Sequence, residues 1–163
     1  MNKDGVKKMS VNPYAYAVAG RDPAVVIAET PERLAKVLAS LTPEGIEAVP
    51  APGKWSVREV LAHLADCEIA FGFRLRQAYG GETHLQPFDQ DAWARAYGVY
   101  SAAQALTTFT ALRAWNVAFV GGLTEADKQL PAVHPERGAM VLWTIVETMA
   151  GHDSHHLMKL EQI

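Results

Sequence analysis

Four long segments of this chain carry apolar residues at helical spacing, and prolines and glycines separate them. They span residues 22–41, 56–79, 101–120 and 139–163. Runs with the alternating pattern of a β-strand are scarce between them. A helix with one apolar face must bury that face against other elements, and four such helices do so most economically around a shared core. The sequence therefore predicts an all-α fold, a four-helix bundle.

Capping residues mark the ends of the first two predicted helices. Asp22 followed by Pro23 is a favourable start, because the aspartate can accept a backbone hydrogen bond and proline fits the first helical position. Ser56 and Glu59 have the spacing of a capping box. Two glycines at 80–81 should then end the second helix.

Charge and hydropathy exclude two classes of partner. The formal net charge is −3 and the isoelectric point is about 6.0. Nucleic-acid-binding domains usually carry a strongly basic face, so we expect no nucleic-acid partner. No run of 18 apolar residues is present, so we expect no membrane span.

The remaining features of the composition favour a small cytoplasmic protein. The single cysteine, Cys67, cannot form an intramolecular disulfide, which is typical of a reducing compartment. The charged N-terminus lacks the apolar stretch of a secretory signal. We expect one domain over residues 1–163, with residues 1–12 as a flexible tail.

Three of the six histidines lie close together near the C-terminus, at positions 152, 155 and 156. His152 and His156 are four residues apart, which places them one turn apart on one helix face, where they could bind one metal ion. His152 also extends the apolar face of its helix and should point into the bundle, whereas His155 should lie at the rim. Taken alone, the pair is more simply explained as a polar helix end, so both interpretations stay open at this point.

A third histidine, His63, decides how the helices would have to be arranged for a shared site. At about 1.5 Å per residue, His63 lies roughly 10 Å from the start of the second helix, and His152 and His156 lie roughly 9–15 Å from the end of the fourth. The three side chains reach one level only if these two helices are antiparallel. That arrangement is an up-down-down-up bundle with a long crossover between the second and third helices. The connector at 81–100 is long enough for such a crossover.

Two stretches resemble the DinB-like (YfiT-like) superfamily, GKWSVREVLAHLADCE in the second helix and HDSHHLMKLEQI at the end of the fourth. The family pattern is WS-x-x-E-x-x-x-H followed by H-x-x-x-H. The resemblance covers essentially the whole chain and implies an up-down-down-up bundle with a divalent metal held by three histidines. Matched residue by residue, these are His63, His152 and His156. Many members are homodimers, so the resemblance also implies a homodimer.

Three neutral imidazoles would leave coordination positions open, as in catalytic rather than structural metal sites. Zinc bound in this way lowers the pKa of its water ligand to about 7, so this water is the hypothetical catalytic group. Zinc or nickel fits imidazole ligands best, and iron or manganese would also be accepted. The resemblance implies a metal-dependent enzyme that acts on a small molecule. It is either a hydrolase, or an S-transferase or isomerase that uses a low-molecular-weight thiol as a second partner. The alternative is a non-catalytic metal-binding protein that acts in stress or in interactions with other molecules.

Several side chains near the predicted site have two interpretations. Cys67, one turn after His63, is either an additional ligand or, as is more usual for a lone cysteine, a small core residue. Glu68 and Asp153 are candidates to orient a ligand by binding its second ring nitrogen. Glu68 would serve equally well as a core polar group bonded to the opposite helix. Trp55 should pack at the start of the second helix, near the metal.

The other polar candidates are assigned to the surface. Arg58, Arg74 and Arg76 could meet a carboxylate substrate, but arginines at such positions are usually solvated. His84 and His134 lie in connectors and should be exposed. His134 should also lie far from the predicted site.

Overall fold

The computed structural model describes residues 11–163, so most of the predicted N-terminal tail, residues 1–10, lies outside the described residues. The elements are, in chain order, α1 (Ala15–Val18), α2 (Pro23–Ser40), α3 (Pro43–Glu47), α4 (Val57–Tyr79), α5 (Gln90–Ala94), a 3-10 turn (Tyr97–Val99), α6 (Ala102–Gly121), α7 (Glu125–Lys128), β1 (Pro131–His134), β2 (Gly138–Val141) and α8 (Leu142–Leu160). The four long helices α2, α4, α6 and α8 correspond to the four predicted segments.

The predicted caps are present where the sequence indicated them. The Asp22 side chain accepts a hydrogen bond from the backbone N–H of Ala24 at 2.9 Å. Ser56 and Glu59 form a reciprocal capping box at the start of α4. The helix ends at its Gly80 cap. These bonds satisfy backbone groups that a helix end otherwise leaves unpaired, and they fix where α2 and α4 begin.

The four long helices form an up-down-down-up bundle, in which α2 and α4 each pack against both α6 and α8. Helices α4 and α8 are antiparallel, since Cys67 contacts His152 while the earlier residue His63 contacts the later residue His156. Helices α4 and α6 are parallel. Glu68 contacts Arg113 near the middle of both helices, and the later residue Tyr79 contacts the later residue Phe119 near their ends. The predicted order of helices is therefore confirmed, and it brings the histidines of α4 and α8 to one level.

The crossover between α4 and α6 contains α5 and the 3-10 turn, close to the short helical turn that the sequence predicted there. Leu85 and Tyr97 anchor this segment, with 3% and 1% of their surfaces exposed. Because Tyr97 reaches between the helices, the crossover contributes to the interior near the start of α4.

A β-hairpin precedes α8 that the sequence did not predict. Strands β1 and β2 pair antiparallel in a register that runs from Pro131 opposite Val141 to His134 opposite Gly138. Four-residue strands are too short to show a clear alternation, and apolar residues continue without a break into α8. The pattern therefore placed the helix start near 139, whereas α8 begins at Leu142.

The apolar core is divided into two clusters at opposite ends of the bundle. One cluster combines the start of α2 and α8 with the end of α4 and α6, and includes Ile27, Leu75 and Leu142. The other combines the opposite ends and includes Leu34 and Phe109. Buried polar and ionisable side chains lie near the middle of the helices between them.

Close packing of the N-terminal segment on α8 leads to a prediction at Gly151. A Cβ at this position would lie 2.5 Å from the backbone oxygen of Tyr14, which has no room to move without displacing α1. We expect Gly151→Ala to lower the free energy of unfolding by about 1–3 kcal/mol in urea denaturation, because of this overlap. Gly121→Ala is the matched control, since a Cβ there meets nothing within 4 Å and alanine favours helix. Equal loss in both variants would contradict the packing described here.

Candidate metal centre

His63 of α4 and His152 of α8 face each other across the bundle. Their Nε2 atoms are 3.0 Å apart. The Sγ atom of Cys67 lies 3.6 Å from His63 Nε2 and 4.0 Å from His152 Nε2. All three side chains are buried. The structure thus brings His63, Cys67 and His152 together as a group whose ligand atoms lie within 4.8 Å of one another.

These distances fit the ligand shell of a small divalent cation. Around one tetrahedral zinc ion, two nitrogen ligands lie about 3.3 Å apart and a nitrogen and a sulfur lie about 3.6 Å apart, from the usual bond lengths. The measured separations of 3.0, 3.6 and 4.0 Å are close to these values. The three atoms therefore have nearly the spacing that a metal of this size requires.

The third predicted ligand, His156, packs against both of the other histidines. Its ring centroid lies 4.6 Å from that of His152 and 5.0 Å from that of His63. Within the part of the chain that the structure describes, however, the tight group of ligand atoms includes Cys67 in place of His156. The sequence thus predicted the neighbourhood of all three rings, and both interpretations of Cys67, an additional ligand or a buried core residue, stay open.

His155 lies at the rim, as its position on the helix predicted. Its ring is half-buried, and Nδ1 is 2.6 Å from the hydroxyl of Tyr16. Its Nε2 accepts a hydrogen bond from the Lys159 ammonium at 2.7 Å. The three neighbouring histidines of the C-terminal stretch therefore divide into an inward pair and one surface residue.

The inward imidazoles are neutral at ordinary pH. Burial lowers the pKa of His63 to about 4. The pKa of His156 is lowered to about 3 by burial and then by the nearby His63. Burial also lowers the pKa of His152 well below its usual value, with further contributions from His156 and His63. A neutral ring keeps a lone pair for a metal, so this environment maintains the ligating form.

Two aromatic residues hold the ring of His63. The hydroxyl of Tyr97 lies 3.4 Å from His63 Nδ1, and the ring of Trp55 lies 4.7 Å from the imidazole. If Nε2 faces the ligand cluster, Nδ1 carries the proton and donates a hydrogen bond to the Tyr97 oxygen. The position of Trp55 was predicted, whereas Tyr97 was missed because nothing in the crossover sequence pointed to it.

The ring of His152 sits in a more apolar environment. Tyr14 and Phe71 contact it edge-on, with centroids 5.3 and 5.9 Å away. Its Nδ1 atom is buried and finds no hydrogen-bond partner among residues 11–163. An unpaired buried polar atom costs about 1–3 kcal/mol, and such atoms often mark binding groups.

Glu68 and Asp153 have a different role from the predicted orientation of a histidine ligand. Arg113 of α6 lies between them and donates to Glu68 Oε2 at 2.7 Å and to Asp153 Oδ2 at 2.5 Å. Asn116 donates to the other Glu68 oxygen at 2.8 Å. Glu68 is thus a core polar group bonded to a neighbouring helix, which was its second interpretation. Both carboxylates are committed to Arg113 rather than to a ring nitrogen.

The predicted location of His134 is wrong, whereas His84 is exposed as expected. His134 ends β1, has only 7% of its surface exposed, and lines the same cavity as Cys67 and His152. Burial, followed by the charge of Arg137, lowers its pKa to about 4. The unpredicted hairpin explains the error, because it folds this part of the connector back onto the bundle.

Two cavities flank the histidine cluster. The first, of about 640 Å³, reaches Cys67 and His152. The second, of about 690 Å³, is mainly apolar and reaches His156 and Trp55 from the other side. Cavities of this size accommodate small organic molecules. The cluster is therefore accessible to ligands from the surface rather than sealed in the core.

The lowered histidine pKa values predict how stability depends on pH in the metal-free protein. His63 stays neutral in the folded chain down to about pH 4, whereas an unfolded histidine binds a proton near 6.5. The unfolded state therefore binds more protons in this window, so stability is lost as pH falls from 6.5 towards 4. His63 alone should lower the free energy of unfolding by about 2 kcal/mol when the pH falls from 7 to 5.

Urea denaturation of the metal-free protein at pH 7, 6 and 5 measures this dependence. We expect His63→Leu to show a shallower loss of stability with decreasing pH than the wild-type protein. His84→Leu, at an exposed position, should keep the wild-type slope. The same slope in His63→Leu as in the wild type would contradict the neutral burial of this ring.

Fold and site together define a four-helix bundle protein with a candidate metal centre between α4 and α8. Residues 27–159 match the model of the DinB superfamily, and the chain belongs to this family. No helix within residues 11–163 has the length and apolar character needed to cross a membrane.

Relatives and a solved structure are similar along most of the chain. Two relatives carry the name "Putative metal-dependent hydrolase". One, from Oceanobacillus iheyensis, is 27% identical over 84% of this chain and 81% of its own length. The other, from Bacillus licheniformis, is 29% identical over 82% and 78%. The structure of YfiT from Bacillus subtilis, described as having "an unusual four-helix bundle topology", matches with a TM-score of 0.76 and 20% identity over 99% of this chain and 91% of that one.

Proposed function

We propose that the protein is a metal-dependent hydrolase of a small molecule, with a divalent metal held by His63, His152 and His156. The observation that carries the proposal is the 640 Å³ cavity that opens onto His152 beside the cluster of ligand atoms. A purely structural metal is usually enclosed by four protein ligands, whereas a catalytic one needs room for a substrate. The names of the relatives support hydrolysis as the reaction.

The three proposed imidazole ligands favour zinc or nickel and accept iron or manganese. Neutral imidazoles bind all of these ions, and their order of affinity does not select one. When bound, such an ion polarises a carbonyl or phosphoryl oxygen and lowers the pKa of a coordinated water. The nearby thiol of Cys67 faces the cavity, and burial raises its pKa, so it is neutral in the metal-free protein.

The protein's own residues orient the ligands and shape the cavity. Tyr97 and Trp55 fix the plane of the His63 ring, one by a hydrogen bond and one by contact. Phe71 contacts His152 and also lines the cavity, which keeps the wall beside the cluster apolar. A ligand in this cavity would thus meet the histidines in a partly water-excluded environment, where electrostatic interactions are stronger.

Metal-dependent turnover tests the proposal. The protein is purified without a nickel column, stripped with a chelator, and assayed before and after addition of zinc against ester, amide and phosphoester reporters. We expect hydrolysis of at least one class, which requires the metal and is lost in His63→Ala. A parallel assay follows conjugation of a fluorogenic electrophile to bacterial thiols.

The two alternative functions correspond to distinct outcomes. Conjugation without hydrolysis would contradict the proposal and show that the protein is a thiol-dependent transferase. Silence in both assays, with one metal ion bound per chain, would favour a non-catalytic metal-binding protein. His84→Ala is the matched control, because its ring is exposed and lies outside the cluster.

A further inference from the structure

The first cavity has a positively charged wall that the proposed metal chemistry does not use. Arg74 of α4 and Arg137 of the hairpin turn both line it, next to His134. Cys67, Phe71 and Arg74 are spaced by four and three residues, so one face of α4 runs from the ligand cluster to the arginine. Seven residues separate Cys67 from Arg74, or about 10 Å along the helix. The charged wall is thus one small-molecule length from the candidate metal centre.

Arg74 is held in place with its terminal nitrogens free. It has 7% of its surface exposed, its Nε donates to the carbonyl of Gln86 at 3.1 Å, and its guanidinium lies over the ring of Phe88 at 5.3 Å. Its two Nη nitrogens make no hydrogen bond with any residue in the range 11–163. A buried arginine is normally paired with a carboxylate, whereas Arg74 takes part in none of the ion pairs of the described residues.

Arg137, on the same wall, also has an unpaired guanidinium nitrogen within residues 11–163. Its Nε is buried and has no hydrogen-bond partner among the described residues. The two guanidinium groups are close enough to affect each other, because the pKa of Arg74 is lowered first by burial and next by the charge of Arg137. Two cations held together in a cavity without a bound carboxylate form a region that favours an anion.

The carboxylates of the cavity do not neutralise this wall. Asp89, Asp91 and Glu136 also line the cavity, and all three are exposed. Asp89 already accepts a hydrogen bond from the backbone of α5 at 3.0 Å. No ion pair within 4.0 Å joins any of the three to either guanidinium among the described residues. Glu136 acts on Arg74 only at longer range, where its charge favours the protonated guanidinium. The Arg74 side chain and the Nε atom of Arg137 are therefore buried, whereas the three carboxylates are at the solvent side of the cavity.

We propose that Arg74 and Arg137 bind an oxyanion of the substrate, a carboxylate or a phosphate, while the reacting bond lies at the histidine cluster. This inference rests on the proposed function and adds the class of substrate, an anionic small molecule. Guanidinium groups match the planar carboxylate and the phosphate through paired N–H donors, which a neutral substrate could not use.

The binding test uses metal-free, isotope-labelled full-length protein and does not depend on activity. Nuclear magnetic resonance follows the arginine Nε–H signals during titration with inorganic phosphate, with succinate, and with sodium chloride at equal ionic strength. We expect the Arg74 signal to shift with phosphate or succinate and to stay in place with chloride. Phosphate and succinate distinguish the two kinds of oxyanion.

Variants assign the binding to the pair. Arg137→Gln should weaken binding at least tenfold, which corresponds to the loss of one charge-assisted contact. Arg95→Gln removes the same charge from an exposed arginine of the crossover that does not line the cavity, and it should bind as the wild type. Arg137→Lys, which keeps the charge, should lie between the two. Circular dichroism verifies that each variant is folded.

Failure of this inference can be separated from failure of the proposed function. No shift of either arginine signal, or equal affinity in Arg137→Gln and the wild type, would overturn the anion site whether or not the histidines bind metal. Arginine-dependent binding in a protein that takes up no metal would overturn the proposed function and leave the anion site standing.

Discussion

Replacing Arg113 by methionine is expected to destabilise the folded protein by about 3–5 kcal/mol. The guanidinium is the shared partner of Glu68 and Asp153, and all three side chains are almost completely buried. Burial alone would lower the pKa of Arg113, but the charges of Asp153 and Glu68 outweigh it and raise the pKa. Methionine keeps most of the side-chain volume, so the change leaves two carboxylates in the core without their cation. Chemical denaturation measures the loss.

Two further variants isolate the charge effect. Arg33→Met breaks an ion pair with Glu161 that is partly exposed, and should cost less than about 1 kcal/mol. Combining Arg113→Met with Glu68→Gln and Asp153→Asn removes the uncompensated charges and should recover part of the lost stability. Wild-type stability in Arg113→Met alone would show that the network does not hold α4, α6 and α8 together.

The second large effect is expected on metal binding. His63→Ala should weaken zinc affinity by at least about a hundredfold, since the free energy of a bound zinc is divided among few ligands. His152→Ala and His156→Ala should have comparable effects if the three rings form the ligand set. His155→Ala is the matched control, because this ring is on the same helix but bonds to Tyr16 and Lys159 at the rim. Competition with a chromogenic chelator gives the affinities.

Cys67 distinguishes two ligand sets in the same experiment. The proposed set of three histidines predicts that Cys67→Ser retains one metal ion per chain with an affinity within about tenfold of the wild type. The same ligand set predicts that cobalt-loaded wild-type protein lacks the charge-transfer absorption that a thiolate ligand produces. Loss of metal in Cys67→Ser, with retention in His156→Ala, would instead establish His63, Cys67 and His152 as the ligands.

The sequence predicted the bundle because most of its signals were local, namely periodicity, capping residues and connector length. Helical periodicity and the capping residues at Asp22 and Ser56 located α2 and α4 directly. The order of helices was predicted from the length of the connector at 81–100 together with the positions of His63 and His152, and the family resemblance implied the same order. The hairpin before α8 was missed, because strands of four residues gain their stability from packing on the bundle rather than from their own pattern.

The site was predicted in outline and not in its details. Spacing on α8 separated the inward His152 from the outward His155, since both lie on one regular helix. Tyr97 and His134 reach the site from the 3-10 turn and the short hairpin, elements too short to show a periodicity in the sequence. Glu68 was ambiguous for a related reason, because its partner Arg113 lies far along the chain, on α6.

Anomalous diffraction from crystals of protein purified without a nickel column tests the central claim most directly. Data collected above and below the zinc absorption edge, with equivalent pairs for nickel and iron, identify the ion and its position. We expect one anomalous peak per chain, within bonding distance of ring nitrogens of His63, His152 and His156. No peak in zinc-soaked crystals, or a peak that is not bound to these three rings, would contradict the proposed metal centre.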